Sequence, residues 1–168
     1  MSVKPSIVKC PGCGLMLPNQ SFAEPPRFHA SGECMDLFNQ LSYYTIAHGR
    51  PDFIHQLALD SYGAQHSGGV TRPITTAFSL IGLYLVVEHG FTGKQVQQAH
   101  MRLARKKTEW PLLASPPTGA AVTVQDILQA EAGRTRDAMI RKWVHAVWDS
   151  WAHARDWARE AARPVLEP

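Results

Sequence analysis

The sequence predicts an all-α fold, a bundle of four to five helices behind an irregular N-terminal segment. From Ser31 onward, apolar residues recur at the three- and four-residue steps of helices, with capping residues and glycines at the ends. The first thirty residues show no period and are interrupted by prolines and glycines. With 168 residues, 45% of them hydrophobic and 18% charged, the chain is expected to form one domain, with residues 1–30 as its head and 31–168 as its bundle.

Start and stop signals define the first three helices. Ser31 is suited to cap a helix that ends at Gly49, and Pro51 suits the first turn of a second helix that continues to about His66. A third helix, over about residues 73–88, is apolar nearly all round. A helix of this kind is expected at the centre of the bundle.

Three further helices are predicted in the second half of the chain. Thr92 caps one that continues through Leu103 and has a basic outer side. Thr123 and Asp126 have the spacing of a capping box at the start of a short helix. The last helix, residues 135–162, has the strongest period. No segment shows the two-residue alternation typical of a strand.

The three cysteines provide the clearest chemical signal. Cys10 and Cys13 stand in the segment Cys-Pro-Gly-Cys-Gly, residues 10–14, which has the form of a zinc knuckle. Proline presets φ and the glycines supply the positive φ of a tight turn that directs two thiolates at one ion. A thioredoxin-like redox pair would follow a strand and open a helix, and neither is predicted here. An odd number of cysteines and no signal-peptide pattern lead us to expect zinc in a cytoplasmic protein.

A structural zinc site takes four ligands, so two more are needed. Cys34, at the predicted start of the first helix, is the third. The first two helices have equal predicted lengths, and packing them antiparallel brings His66 beside Cys34. His29, five residues before Cys34, is the alternative fourth ligand. Four protein ligands leave no open position, so the expected zinc is structural.

The second helix carries further chemical groups. His55 and His66 lie on one stripe but eleven residues apart, about 16 Å along a helix, so they do not share a metal. His55, Asp60 and Tyr62 are therefore candidates for a catalytic site in the bundle core. A core histidine hydrogen-bonded to a carboxylate is the simpler interpretation of His55.

Taken together, these motifs resemble an uncharacterised bacterial family, a domain of unknown function. The resemblance rests on the knuckle, a cysteine at a helix start, the pattern D-x-Y-x-x-Q-H and a tryptophan-rich last helix, and it covers most of the chain. The residues that carry it are Cys10, Cys13, Cys34, His55, Asp60, Tyr62, Gln65, His66, Trp148 and Trp151. The family usually has an aromatic residue where this chain has Met35, and tends to carry a histidine near Ser79. The resemblance implies the metal site and no particular activity.

One side of the last predicted helix is polar and the adjacent side is apolar. His153 on the polar side is the fourth catalytic candidate, because histidine and carboxylate groups at helical spacing can bind a divalent ion or pass protons. A solvated helix flank is the simpler interpretation. The apolar side carries tryptophans, whose indole N–H groups need acceptors when buried. The polar residues are His145, Asp149, His153 and Asp156, and the apolar ones are Trp143, Val147, Trp151 and Ala154.

The net charge of +3 is weak, and the densest basic stretch, His100 to Lys107, lies just before Trp110. Basic groups beside an aromatic ring suit phosphates and a stacked base. A solvated helix face is the favoured interpretation, so nucleic acid is an open but not a favoured partner.

Three functions are compatible with these patterns. The first is a zinc-stabilised helical module that binds a partner protein or a small ligand. The second is a metal-dependent, hydrolase-like enzyme with a His/Asp site in the bundle core, and the third is a nucleic-acid-associated factor. No apolar stretch is long enough to span a bilayer. The oligomeric state is open, and a homodimer is compatible with the sequence.

Overall fold

The computed structural model describes residues 3–47, 50–106 and 109–167. These residues form seven α-helices, and about 60% of the chain is helical, which confirms the all-α class. Two short strands were not expected. The elements in chain order are β1 (Ile7–Lys9), β2 (Met16–Pro18), α1 (Gly32–Ile46), α2 (Ile54–Gln65), α3 (Pro73–His89), α4 (Gly93–Lys106), α5 (Val124–Gln129), α6 (Arg134–Ser150), a 3-10 helix (Ala152–Ala154) and α7 (Arg155–Leu166).

The head is not wholly irregular, because β1 and β2 form an antiparallel hairpin centred on the pair Val8 and Leu17. The knuckle is the turn of this hairpin. The Gly14 N–H donates to the Cys10 carbonyl at 2.9 Å, and the Cys10 N–H donates to the Leu15 carbonyl at 2.8 Å. Strands of three residues are too short for an alternating pattern, which is why the sequence did not predict them.

Several helix ends lie where the sequence predicted them. The Ser31 hydroxyl accepts from the Cys34 N–H at 3.1 Å at the start of α1. Gly90 ends α3 in the left-handed conformation, with a φ of 67°. Thr92 and Gln95 exchange two hydrogen bonds, of 2.8 and 3.2 Å, at the start of α4. Local side-chain chemistry therefore sets these boundaries.

The start of α2 differs from the prediction, which placed it at Pro51. Phe53 stands before α2 in a left-handed conformation, with a φ of 50°. The start of α4 packs on this turn, where the Lys94 N–H donates to the Asp52 carbonyl at 3.0 Å. A tertiary contact thus uses the backbone that would have formed the first turn. The predicted end of the first helix at residues 48–49 and the basic residue Lys107 lie outside the described residues.

The long last helix of the prediction is two helices. α6 ends at Ser150, a 3-10 turn follows, and α7 begins at Arg155. The bend allows α6 to pack on α2 while α7 packs on α3 and α4. The polar stripe predicted along one continuous helix is therefore divided between two helices and a turn, and Asp149 forms an ion pair of 3.0 Å with Arg155.

Helix α3 lies at the centre of the bundle, as its composition predicted, and contacts α2, α4, α6 and α7. Trp143, Trp148 and Trp151 are at most 2% exposed. They lie in the part of the core where α6 and its C-terminal end pack on α2 and α3. Each of their indole N–H groups has an acceptor, as burial requires. The acceptors are Gln65 Oε1 at 3.0 Å, Glu88 Oε1 at 3.1 Å and the Ala64 carbonyl at 3.3 Å. No helix among the described residues is long and apolar enough to cross a membrane.

Candidate metal centre

Four side chains from three separate segments converge at one end of the α1–α2 pair. Cys10 and Cys13 come from the hairpin turn, Cys34 from the first turn of α1, and His66 directly follows α2. Their ligand atoms all lie within 4.8 Å of one another. The Cys34 Sγ is 3.7 Å from the Cys13 Sγ and 3.4 Å from the His66 Nε2. Three thiols and an imidazole in this arrangement can hold a metal ion.

His66 presents Nε2 to the sulfurs because its other ring nitrogen is occupied. Nδ1 lies 2.8 Å from the Tyr62 carbonyl oxygen, so the ring donates there and keeps the Nε2 lone pair for a metal. Metal-binding histidines are usually oriented by a hydrogen bond of this kind. The imidazole is fully buried and stacks on the Tyr62 ring, with 3.9 Å between the ring centroids.

Tyr62 also contacts the sulfur atoms. Its hydroxyl donates to the Cys34 Sγ at 3.4 Å. The ring lies between those of His66 and Phe38, whose centroid is 4.1 Å away. Burial, assisted by the neighbouring Cys34, raises the pKa of Tyr62. The phenol therefore remains a neutral donor to the Cys34 sulfur.

The three thiols are too close together to ionise fully without a cation. Hydrogen bonds from Cys13 and Cys34 lower the pKa of Cys10. The contact with Cys10 raises the pKa of Cys13 to about 12, and the same contact with burial raises the pKa of Cys34. Ionisation of one thiol therefore disfavours ionisation of the other two. A divalent cation would offset the repulsion and let all three bind as thiolates, so the donor chemistry fits a metal.

Gly12 allows the hairpin turn to approach the rest of the site. A Cβ at this position would collide with the His29 carbonyl oxygen and with the His66 ring. The sequence argument assigned a positive φ to both knuckle glycines, but of the two it is Gly14 that has one, at 80°. Glycine is required at position 12 because a larger side chain would not fit, and not because of its backbone conformation. The residues that leave no space come from distant segments, so the sequence pattern did not reveal this.

The first turn of α1 also fastens the chain that leads into it. The Glu33 carboxylate accepts from the backbone N–H groups of Gln20 and Phe22, at 3.1 and 3.3 Å. A Cβ at Gly32 would collide with the Phe22 carbonyl, so this segment lies directly on the helix. The sequence analysis missed both residues, although an acidic residue in a first helical turn is a usual partner for free N–H groups.

His29, the alternative fourth ligand, lies beside the cluster and is not among its four donors in the described residues. Its backbone N–H donates to the His66 carbonyl at 2.9 Å. Its ring packs over Gly69 and lines a cavity of about 310 Å³ together with Gln65 and Ser115. His29 therefore holds the segment after α2 against the head.

Gln65, the glutamine of the D-x-Y-x-x-Q-H pattern, links this end of α2 to the rest of the bundle. Gln65 donates through Nε2 to the Val122 carbonyl at 2.8 Å and accepts from the Trp143 indole at 3.0 Å. It thereby connects the metal end of α2 to α6 and to the segment before α5. Only the family resemblance pointed to this residue, because one glutamine on a helix is not distinctive by itself.

The catalytic candidates have different neighbours. His55 Nδ1 is 2.9 Å from the Thr45 hydroxyl of α1, and burial lowers the pKa of this imidazole. His153 is exposed, and its Nε2 lies 2.9 Å from the Ala114 carbonyl. Tyr62 contacts Cys34 and His66, as described above. His55 has a hydroxyl partner where a carboxylate was expected, and His153 holds a loop. Their catalytic role stays a prediction.

Asp60, the last catalytic candidate, is 4% exposed and faces α3. Its Oδ1 accepts from the Gln56 side-chain amide at 3.1 Å, and its Oδ2 lies against Gly82, where a Cβ would collide with it. Burial raises the pKa of this carboxyl well above its usual range. Asp60 lines a cavity whose other polar residues the sequence analysis did not select. Gln56, four residues earlier on the same face of α2, was the available signal.

The basic stretch on α4 is partly used inside the molecule. Arg102 donates to the Val165 carbonyl near the end of α7 at 2.7 Å. The Trp110 ring packs edge-on against Phe78 at 5.0 Å between centroids. A nucleic-acid role for this stretch stays a prediction.

Fold and site together define a mostly helical protein with a Cys₃His group suited to a metal ion. A family model described as a family of unknown function, DUF5946, matches residues 8–152, which include all four donors. The chain belongs to this family. No curated protein and no solved structure matches it significantly.

Proposed function

We propose that this protein is a zinc-stabilised helical binding module in which the metal ion is structural. The observation that carries the proposal is the closed donor set, in which Cys10, Cys13, Cys34 and His66 supply four ligand atoms within 4.8 Å of one another. Four protein ligands occupy every position of a tetrahedral ion, so none is left for a substrate. A cavity bounded by α2, α3 and α4 provides a place for a small ligand.

Zinc suits these donors better than the other common ions. Thiolate and imidazole are its usual ligands in structural sites. Around a tetrahedral zinc ion two sulfurs lie about 3.8 Å apart, and a sulfur and an imidazole nitrogen about 3.6 Å apart. The 3.7 Å between the Cys13 and Cys34 sulfurs and the 3.4 Å between the Cys34 sulfur and His66 Nε2 are close to these values.

The work of the ion is to attach the head to the bundle. A hairpin with strands of three residues is not stable by itself. In this head Cys10, Leu17, Phe28 and Ala30 are the buried apolar residues, a small area to offset the ordering of its backbone. Zinc contributes on the order of 10 kcal/mol in small zinc-finger peptides. A reducing compartment such as the cytoplasm keeps the three thiols available for it.

Metal analysis of the purified full chain tests the proposal. We expect one zinc ion per chain, and Cys34→Ser should lower both the zinc content and the melting temperature. His66→Ala and His29→Ala form a matched pair, because the first removes a donor and the second a neighbouring imidazole. Of this pair, we expect only His66→Ala to lose zinc.

Two outcomes would count against the proposal. Wild-type protein from zinc-supplemented cells that carries no metal would reject the zinc site. Zinc loss in His29→Ala with retention in His66→Ala would show that the fourth ligand is wrong.

A further inference from the structure

A second polar site lies away from the metal cluster, in a cavity of about 270 Å³ between α2, α3, α4 and the end of the head. We call it the Asp60 cavity, after the carboxyl that lines it. Its volume is near the lower end of the range of about 300–1,000 Å³ for small-molecule sites, so it suits a small ligand and not a peptide. The polar residues of its lining are Arg27, Gln56, Asp60, Thr75, Ser79 and His100.

Asp60 forms no ion pair with any of the described residues, although the charge of Arg27 acts on it from the rim of the cavity. Among the described residues its one side-chain hydrogen bond comes from the neutral amide of Gln56, at 3.1 Å. Buried carboxylates are stable when they are paired with a cation. Burial raises the pKa of Asp60 well above its usual range, and the Gln56 amide and the Arg27 charge oppose this effect only in part. A ligand that carries a positive charge would supply the missing partner.

Other groups of the Asp60 cavity are also acceptors. In the tautomer in which the His100 ring donates to the Phe78 backbone through Nδ1, Nε2 is an acceptor. This Nε2 is buried and has no hydrogen-bond partner in the described part of the chain. Burial lowers the pKa of His100 to about 4, so the ring is neutral at neutral pH. Since Gln56 has committed its amide nitrogen to Asp60, its carbonyl oxygen is a third acceptor.

The walls of the cavity are partly aromatic. Phe28 and Phe78 line it, and the His100 ring stacks on Phe78 with 4.9 Å between centroids. Aromatic faces attract organic cations, and the attraction is stronger where water is excluded. Arg27 is exposed at the rim, with its guanidinium 5.2 Å from the Phe28 ring centroid. It is the charged donor of the lining, and because its charge lowers the pKa of Asp60, it competes from the rim with a cationic ligand for that carboxyl.

We propose that the Asp60 cavity binds a small organic cation with N–H donors, an ammonium or amidinium group, whose charged end meets Asp60, Gln56 and His100. The assignment rests on the binding role proposed above and names the ligand class. Three acceptors, one of them a buried carboxyl that has no ion pair among the described residues, favour a donor-rich cation. Phe28 and Phe78 would contact its apolar body.

Three probes of nearly equal shape test the assignment on the zinc-loaded full chain. Benzamidine, benzamide and benzoate carry a positive, zero and negative charge on the same ring, and their affinities are measured by calorimetry. We expect benzamidine to bind and the other two to bind more weakly. Asp60→Asn preserves the shape and the Gln56 contact, and it should weaken benzamidine binding about thirtyfold or more.

Two further variants locate the effect. Arg27→Ala removes a like charge from the exposed rim and should tighten benzamidine binding about two- to fivefold. Asp156→Asn removes a carboxylate whose side chain is 94% exposed on α7, and serves as the matched control with unchanged affinity. Both substitutions lie at the surface, so folding is not at risk.

The outcomes separate the cation from other ligand classes. Preferential binding of benzoate, with weaker binding in Arg27→Ala, would overturn the assignment in favour of an anion. Equal affinities for benzamide and benzamidine, no effect of Asp60→Asn, or binding of none of the probes would also overturn it. Zinc content is measured on the same samples, so that the two proposals are tested separately. A zinc-free chain that binds benzamidine would contradict the zinc proposal and support the cation site.

Discussion

The head and helix α6 both pack on α2, but they are held there by opposite means. The head reaches α2 through sulfur atoms, His66 and backbone hydrogen bonds, with few buried apolar residues of its own. Helix α6 packs on α2 with fully buried residues such as Trp143 and Val147. In the proposed function, one attachment depends on a metal ion and the other on apolar area removed from water. The two should therefore fail under different conditions.

Removing the metal should produce the largest effect and should act on the head alone. A chelator is expected to remove about 10 kcal/mol from the free energy that keeps the head folded. We expect proteolysis to cut within residues 3–31 while far-UV circular dichroism retains most of the helical signal. Loss of the helical signal in the same transition would show that the metal organises the bundle as well.

Trp143→Ala tests the apolar attachment. Deleting a fully buried tryptophan should lower the free energy of unfolding by about 3–5 kcal/mol, and it also leaves Gln65 without its indole donor. The half-buried Trp157 of α7 is the matched control, for which a smaller loss is expected. Denaturant unfolding measures both. Zinc content should be unchanged, and a loss of zinc would mean that the two attachments are coupled.

Gly12→Ala places a methyl group between the hairpin turn of the head and the residues His29 and His66. It would collide with the His29 carbonyl and the His66 ring, and overpacking of this kind costs about 1–3 kcal/mol. Gly119→Ala adds the same methyl group where no atom lies within 4 Å. We expect the zinc affinity, measured by chelator competition, to be lower in Gly12→Ala and unchanged in Gly119→Ala. Equal affinities would contradict the assigned role of Gly12.

Tyr62→Phe should have the smallest effect on stability. It removes the hydroxyl donor to the Cys34 sulfur, at a cost of about 0.5–1.5 kcal/mol. Tyr44→Phe is the matched control, because that hydroxyl contacts Asp137 far from the cysteines. Removing an outer-shell partner typically lowers metal affinity about 10–100-fold, so a chelator should extract zinc more readily from Tyr62→Phe alone. Equal extraction from both variants would remove Tyr62 from the metal site.

Several predictions that depend on neighbouring residues were confirmed. The cap at Ser31, the stop at Gly90 and the turn at Cys10 to Gly14 are each set within a few residues, because capping and turn chemistry act over that distance. The proximity of His66 to Cys34 was predicted from the packing of two consecutive helices. Two helices of similar length joined by a short connection pack antiparallel, which brings their outer ends together.

The features that the sequence did not predict depend on packing between distant segments. The hairpin strands are too short for a pattern, Gly12 is needed because His29 and His66 approach it, and the bend after α6 allows α7 to reach α3. The Asp60 cavity likewise joins residues from four segments. The sequence alone therefore determined which residues are suited to bind metal and which segments are helical, since both are local chemistry. The tertiary structure decided which glycines and carboxyls matter, because burial and close approach exist only once distant segments meet.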